Sequence, residues 1–119
     1  MKVLVVDDSE SIRELVGATL ESEGYEVNRC VDGVDAINTL SSSKADLVIT
    51  DLNMPNMDGL TLLKEIRNDK LYIGMPVLML TTESQQSKKM EAREAGATGW
   101  IVKPFEQERL LSVVKRILR

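Results

Sequence analysis

Short apolar runs alternate along the chain with longer stretches in which apolar residues recur at helical spacing. The runs predicted to form strands cover residues 2–6, 26–31, 46–50, 75–80 and 98–102. Several of them are apolar at consecutive positions, which is typical of strands that are buried on both faces of a parallel sheet. The alternation of strands with helices therefore predicts an α/β fold, with helices on both sides of one sheet.

Five helices are predicted between and after these strands. Ile12, Val16 and Leu20 lie on one face of the first helix, and Gly24 stands where a helix-ending glycine is expected. The third helix is predicted to begin near Asp58, because an aspartate there can cap it. The apolar positions that define the second, third and fifth helices are Val34, Ile37, Leu40, Leu60, Leu63, Ile66, Leu110, Leu111, Val114, Ile117 and Leu118.

The fourth helix, predicted over residues 84–95, has few apolar positions. Only Met90, Ala92 and Ala95 offer apolar contacts to the rest of the fold. Burial of apolar surface is what holds a helix against its sheet, so this helix is expected to dock weakly. It is therefore the candidate movable element.

Length and composition limit the classes of protein that fit. A chain of 119 residues, 43% hydrophobic and 29% charged, fits a single soluble domain. The formal net charge of −4 argues against a nucleic-acid partner, because such binding relies on clustered lysine and arginine. The chain contains no histidine, which excludes imidazole catalysis and the usual zinc sites. Any metal is therefore expected to be held by oxygen.

Location and assembly are also predicted from simple features. The one cysteine, Cys30, lies in an apolar segment and is expected to be a buried thiol in a reducing compartment. The first apolar run ends at Asp7, far short of the ~20 residues that a membrane span requires. We therefore expect a cytoplasmic protein with no membrane association. We also expect a monomer, because no apolar interface stripe is evident.

Chemically capable side chains follow the predicted strands. They are Asp7 and Asp8 after the first strand, Asp51 after the third, Thr81 and Thr82 after the fourth, and Lys103 after the fifth. The carboxyl ends of parallel strands meet at one edge of the sheet, where the sites of open α/β folds lie. Three carboxylates crowded at that edge would repel one another unless a cation joins them. Mg²⁺ is favoured over Ca²⁺, because Mg²⁺ usually retains several waters beside a few carboxylate ligands.

This set of residues suits phosphoryl transfer to an aspartate. Asp51 would be the nucleophile, while Lys103, the metal and the Thr81 hydroxyl would stabilise charge on the phosphoryl oxygens. Each residue alone has an ordinary explanation as well. Asp7 and Asp8 could cap the first helix, and Asp51 could belong to a turn. Lys103 could be a surface lysine, and Thr81 could be a residue at the end of a strand. The conjunction of compatible groups at four strand ends favours the functional interpretation.

Four segments of the chain form a set that spans its whole length in order. They are Val5-Val6-Asp7-Asp8-Ser9, Asp51-Leu52-Asn53-Met54-Pro55-Asn56-Met57-Asp58-Gly59, Pro76-Val77-Leu78-Met79-Leu80-Thr81 and Lys103-Pro104-Phe105. Together they resemble the receiver domain of two-component response regulators. The resemblance implies a doubly wound, flavodoxin-like (βα)5 fold with an open parallel sheet. It also implies the strand order 2-1-3-4-5, for which the chemotaxis response regulator is a known example.

The resemblance implies roles for the residues around the nucleophile. Asp51 would be the phosphoacceptor, and Thr81 and Lys103 would contact the phosphoryl oxygens. The bond between Lys103 and Pro104 is cis in many relatives. Trp100 stands where relatives usually carry a tyrosine or other aromatic that turns inward when the switch hydroxyl of Thr81 moves. An indole is bulkier and offers only an N–H donor, which disfavours full inward rotation.

The resemblance also implies a metal site. Mg²⁺ would be held by Asp8, Asp51 and the backbone carbonyl of Asn53. Asp7 would act mainly through a water molecule on the metal. Asn53 lies two residues after Asp51, and Glu83 lies two residues after Thr81. Both would influence the rate of autodephosphorylation.

The implied function is that of a phosphorylation switch that catalyses only its own phosphorylation and dephosphorylation. A histidine kinase would supply the phosphoryl group, and the face of helix 4, strand 5 and helix 5 would bind a partner protein. Single-domain chemotaxis regulators that bind the flagellar motor switch are the most similar class. A phosphorelay intermediate that passes the group to a histidine phosphotransferase is the alternative.

Two further alternatives are disfavoured by particular residues. An aspartyl-phosphate hydrolase generally has a second carboxylate two residues after its nucleophile, and Asn53 stands there instead. A flavin-binding module would place a phosphate after the first strand, where Asp7 and Asp8 would repel it.

Overall fold

One five-stranded parallel sheet forms the centre of the fold. In a computed structural model of the protein, which describes residues 1–82 and 86–119, the strands are β1 (Lys2–Val6), β2 (Glu26–Cys30), β3 (Leu47–Asp51), β4 (Val77–Thr82) and β5 (Gly99–Lys103). They pair in the order β2-β1-β3-β4-β5, and every pair is parallel. The predicted α/β fold and the strand order 2-1-3-4-5 are therefore confirmed.

Helices connect the strands and cover both faces of the sheet. They are α1 (Glu10–Glu21), α2 (Gly33–Ser42), α3 (Gly59–Asn68), α4 (Gln86–Glu94) and α5 (Gln107–Ile117), with a 3-10 turn at Lys70–Tyr72. The side chains of Ser9, Asp32 and Asp58 accept hydrogen bonds from backbone N–H groups in the first turn and so cap α1, α2 and α3. The cap of α1 is thus Ser9, and not Asp7 or Asp8. None of the helices in the described part of the chain has the length and apolar character that a bilayer crossing demands.

Three strands extend further than their apolar runs predict. β3 ends on Asp51, β4 continues through Thr81 and Thr82, and β5 ends on Lys103. Ladder pairing uses the backbone and not the side chain, so polar residues can continue it: Asp51 pairs with Leu80, and Thr82 with Lys103. The prediction that these polar residues follow the strands was therefore wrong by one or two positions. The sheet itself holds them.

Two apolar clusters fill the two faces of the sheet. Alternate residues of β1 point to opposite faces, so Val3 and Val5 join one cluster while Leu4 and Val6 join the other. The cluster of Val3 includes apolar residues of α1 and α5, and the cluster of Leu4 includes those of α2, α3 and α4. Burial on both faces explains why the inner strands are apolar at consecutive positions.

The helix α4 makes little apolar contact with the rest of the fold. Of the α4 side chains that the structure describes, that of Ala92 is buried, whereas that of Met90 is 69% exposed. The prediction of Met90 as an anchor was wrong, because two residues correspond to about 200° around a helix and so to the opposite face. Ala95, just after α4, is half-buried. The predicted start of this helix at Ser84 lies outside the described residues.

Candidate functional site

Three aspartates meet at the carboxyl edge of β1 and β3. Asp7 directly follows β1 and is fully buried, Asp8 beside it is exposed, and Asp51 is 8% exposed at the end of β3. One carboxylate oxygen from each lies within 4.8 Å of the others. Two oxygens on one Mg²⁺ lie at most about 4.2 Å apart, since Mg–O distances are about 2.1 Å. The donor set therefore fits one hard cation after a small adjustment.

Lys103 joins the two buried carboxylates. Its Nζ donates hydrogen bonds to Asp7 Oδ2 and to Asp51 Oδ1, both at 3.0 Å. Burial alone would lower the pKa of Lys103, but the hydrogen bonds and charges of Asp51 and Asp7 outweigh burial and raise that pKa. The lysine is therefore charged at neutral pH. Its peptide bond to Pro104 is cis.

The charge of Asp51 is only partly compensated. Burial first, and then the charge of Asp7, raise the pKa of Asp51 above its ordinary value, although the hydrogen bond from Lys103 opposes them. Three carboxylates lie together at this edge, and Lys103 pairs with two of them, Asp7 and Asp51. A divalent cation would remove the remaining repulsion, so the electrostatics of the cluster favour cation binding.

Backbone groups and α1 fix the orientation of Asp7. Its Oδ1 accepts a hydrogen bond of 2.9 Å from the Ser9 N–H, and its backbone carbonyl accepts one of 2.7 Å from Arg13 Nη1. Its own N–H donates to the Cys30 carbonyl at 3.1 Å. These contacts were not predicted. Of the three partners only Arg13 contributes a side chain, and its place one helical turn after Ser9 is the signal that could have indicated its contact.

Thr81 reaches the same edge from β4, the strand between those of Asp51 and Lys103. It is 2% exposed and follows Leu80, the residue that pairs with Asp51. Its own partner in β5 is Val102, the residue before Lys103. The register of the sheet therefore brings Thr81, Asp51 and Lys103 to neighbouring positions.

The other predicted site residues lie around this centre. Asn53 is exposed in the loop after β3, and its backbone carbonyl stays a predicted ligand. Glu83 lies outside the described residues. Trp100 in β5 is half-buried against the cluster of α2, α3 and α4, and Nζ of Lys89 lies 4.5 Å from the centre of its ring. This cation–π contact, which was not predicted, joins α4 to β5.

The helix α3 begins close behind Asp51. The Gly59 N–H donates a hydrogen bond of 2.9 Å to the Leu52 carbonyl. A Cβ atom at position 59 would collide with the backbone carbonyl oxygen of Asp51. Only glycine lets the helix start at this distance, so Gly59 fixes how the chain leaves the site.

The sequence matches the model of one protein family, described as the response regulator receiver domain, over residues 3–115. The chain is 36% identical over 118 residues to the DNA-binding dual master transcriptional regulator RpaA of Synechocystis. It is 39% identical to PhoP of Bacillus subtilis, an alkaline phosphatase synthesis transcriptional regulatory protein. These alignments cover 99% of this chain but only 49% and 48% of the two relatives, so the chain spans about half their length.

A third relative and two solved structures are closer to this chain in length. The chemotaxis protein CheY-3 of Vibrio cholerae is 40% identical over 98% of this chain and 91% of its own. A putative response regulator from Chloroflexus aurantiacus has a TM-score of 0.94 at 38% identity, covering 98% of this chain and 96% of the other. The chemotaxis response regulator CheY4 of Vibrio cholerae has a TM-score of 0.92 at 47% identity, covering 98% of each chain.

Proposed function

The chain belongs to the family of response regulator receiver domains, and on that premise we propose that Asp51 accepts a phosphoryl group from a phosphohistidine of a histidine kinase. The observation that carries the proposal is the bridge from Lys103 to both Asp7 and Asp51 inside an acidic cluster. An ammonium group held against the nucleophile can stabilise phosphoryl oxygens at the place where they arrive.

The reaction requires an ionised and aligned Asp51. One of its carboxylate oxygens forms a bond to phosphorus while the bond between phosphorus and the donor's histidine nitrogen breaks, and the electron pair of that bond returns to the nitrogen. Lys103, 3.0 Å from Asp51 Oδ1, is placed to pair with the phosphoryl oxygens. Thr81, on the neighbouring strand, is assigned to donate its hydroxyl to them. The chain is proposed to catalyse only this transfer and the later hydrolysis of its own acyl phosphate.

The acidic cluster supports a bound Mg²⁺, which receiver domains hold through acidic residues. Asp8, Asp51 and the backbone carbonyl of Asn53 are the proposed ligands. Both carboxylate oxygens of Asp7 already accept hydrogen bonds, which suits Asp7 to hold a water molecule on the metal. When bound, Mg²⁺ neutralises charge on the carboxylates and on the phosphoryl oxygens.

The proposed output surface is the face of α4, β5 and α5. α4 has a single buried side chain among those described, and its Lys89 contacts Trp100 in β5. A new charge at Asp51, close to Thr81, can therefore bias the positions of α4 and Trp100 at little cost in packing. Chemotaxis, through a protein partner such as the flagellar motor switch, is the proposed setting. It is supported by 40% and 47% identity to CheY-3 and CheY4 over 91% and 98% of their chains.

Intact-mass measurement after incubation with Mg²⁺ and acetyl phosphate tests the phosphoacceptor. We expect one labile phosphoryl adduct on the wild type, and none on Asp51→Asn or in the presence of a metal chelator. Asp46→Asn changes an exposed aspartate before β3, at the opposite edge of the sheet, and should keep the adduct. A wild-type chain that shows neither the adduct nor binding of beryllofluoride would overturn the proposal.

Two other outcomes would assign the chain a different function, the first within the same chemistry and the second as an enzyme. Rapid loss of the phosphoryl group to a histidine phosphotransferase, with slow hydrolysis in its absence, would make the chain a phosphorelay intermediate. Multiple turnover of ordinary phosphomonoesters would make it a hydrolase.

A further inference from the structure

The loop of residues 52–58, between β3 and α3, is held at both its base and its tip. At the base, the Gly59 N–H closes the loop on the Leu52 carbonyl at 2.9 Å. Asn53, whose carbonyl is the proposed metal ligand, lies between this closure and the tip. The position of that carbonyl therefore depends on what holds the tip.

The tip is bound to the N-terminus of α2 by two hydrogen bonds. Asn56 Nδ2 donates to Asp32 Oδ2 at 2.6 Å, and the Gly33 N–H donates to the Met57 carbonyl at 3.1 Å. The other oxygen of Asp32 accepts the Asp35 N–H at 2.9 Å and so caps α2. The hydrogen bond from the Asp35 N–H, followed by that from Asn56, lowers the pKa of Asp32, which keeps its carboxylate charged at neutral pH.

The backbone at the tip also has a restricted conformation. Asn56 has a φ of 67°, in the left-handed region that asparagine tolerates better than most residues. A Cβ atom at position 33 would collide with the side chain and carbonyl of Met57, so α2 and the tip approach closely. The tip therefore lies directly against α2, and the side-chain bond from Asn56 to Asp32 fixes it there.

We propose that Asn56 and Asp32 are positioning residues that hold the 52–58 loop so that the Asn53 carbonyl faces the acidic cluster, an inference that rests on the proposed function. Mg²⁺ requires nearly ideal octahedral geometry, so a ligand carbonyl on a loosely held loop binds it less well. Neither positioning residue touches the cluster of Asp7, Asp8 and Asp51. Their effect passes through the loop backbone.

Two substitutions remove the bond while preserving the local structure at each end. Asn56→Gly keeps a residue that favours positive φ, and Asp32→Ser keeps a good helix cap that is too short to reach Asn56. We expect each to raise the Kd for Mg²⁺ about tenfold, as is common when groups that orient a metal ligand are lost. The double variant should bind Mg²⁺ no more weakly than either single variant, because both remove the same contact.

Isothermal titration calorimetry with MgCl₂ on the full chain measures these Kd values, and thermal unfolding verifies that each variant is folded. Asp69→Ser is the matched control: it changes an aspartate that caps the 3-10 turn after α3, outside the loop, so its Kd should equal that of the wild type. Unchanged Kd values in both folded variants, even with lower stability, would overturn the positioning role alone. A wild-type chain that does not bind Mg²⁺ would overturn the proposed metal site and this inference together.

Discussion

Asp51 shows how a buried carboxylate can weaken the fold that holds it. Burial and the neighbouring charge of Asp7 raise its pKa, although Lys103 opposes them. An acid whose pKa is higher in the folded chain binds a proton more tightly there, so the free energy of unfolding falls as the pH rises through the unfolded and folded pKa values. At neutral pH, the ionised carboxylate of Asp51 is therefore destabilising until a cation binds.

Replacing Asp51 with asparagine should stabilise the chelator-treated chain at pH 7. We expect Tm to rise by about 2–5 °C. The gain should shrink as the pH falls through the pKa of Asp51, because the wild-type carboxyl then becomes neutral as well. Thermal unfolding followed by circular dichroism measures both effects. Glu65→Gln, which removes an exposed negative charge from α3, should leave Tm unchanged, and an Asp51→Asn chain that melts below the wild type at pH 7 would contradict this account.

The positions of the site residues could be predicted from the sequence, but the contacts that support them could not. The locations of Asp51 and Lys103 could be predicted because the carboxyl ends of parallel strands meet at one edge of the sheet, whatever path the loops follow. The contacts of Arg13 with Asp7, and of Asn56 with Asp32, depend on the direction in which a short backbone segment leaves a strand or enters a helix. No hydrophobic pattern encodes that direction.

Among the five α-helices, α4 has the fewest buried side chains in the part of the chain that the structure describes. Its buried contribution among the described residues is Ala92, and Lys89 adds the contact with the Trp100 ring. A cation–π pair at a partly exposed site is worth about 0.5–1 kcal/mol. The contact therefore supplies a large share of the energy that holds α4, because this helix buries so little apolar surface.

Lys89→Met should change the emission of Trp100, the one tryptophan of the chain, because it removes the ammonium group 4.5 Å from the ring centre. We expect a loss of stability of about 0.5–1 kcal/mol with the fold retained. Fluorescence spectra and denaturant unfolding measure the two effects. The matched control is Lys88→Met, which loses only an exposed 4.0 Å pair with Glu91 and should leave the emission unchanged. Equal spectra for both variants and the wild type would show that the contact is absent in solution.

The cores of the elements were easier to predict than their ends. Apolar runs identify β3 and β4, whose residues up to Thr81 are all buried. The ends at Asp51 and Thr82 escaped prediction because ladder hydrogen bonds do not depend on side-chain polarity. Met90 was assigned to the wrong face of α4 because a helix with so few apolar residues has no hydrophobic stripe to set its phase.

For the whole molecule, stability rests on two apolar clusters separated by the sheet. Leucine and valine make up most of their buried members. The strand order has a partial signature in the sequence. The edge strands β2 and β5 are only partly buried, whereas the inner strands β1, β3 and β4 are almost wholly so. Polar residues could have identified β2 as an edge strand, whereas β5 is mostly apolar and gives no such signal. The order of the inner strands follows from connections that apolar patterns do not specify.

Leucine-to-alanine substitutions should separate the core from the surface. Leu63 is fully buried in the cluster of α2, α3 and α4, and Leu63→Ala should lower the free energy of unfolding by about 2–5 kcal/mol. Leu71 is 78% exposed, and Leu71→Ala should change the free energy of unfolding by no more than about 0.5 kcal/mol. Denaturant titration followed by circular dichroism measures both, and similar losses would mean that Leu71 is covered in solution.

The bridge from Lys103 to Asp7 joins residues that are 96 positions apart in the chain. During synthesis β1 emerges first and β5 last, so the aspartates exist long before the ammonium group that pairs with them. A chain whose last strand has not yet joined the sheet has the aspartates but lacks the ammonium group that bridges them. The arrangement of Asp7, Asp51 and Lys103 is therefore complete only when the fold itself is complete.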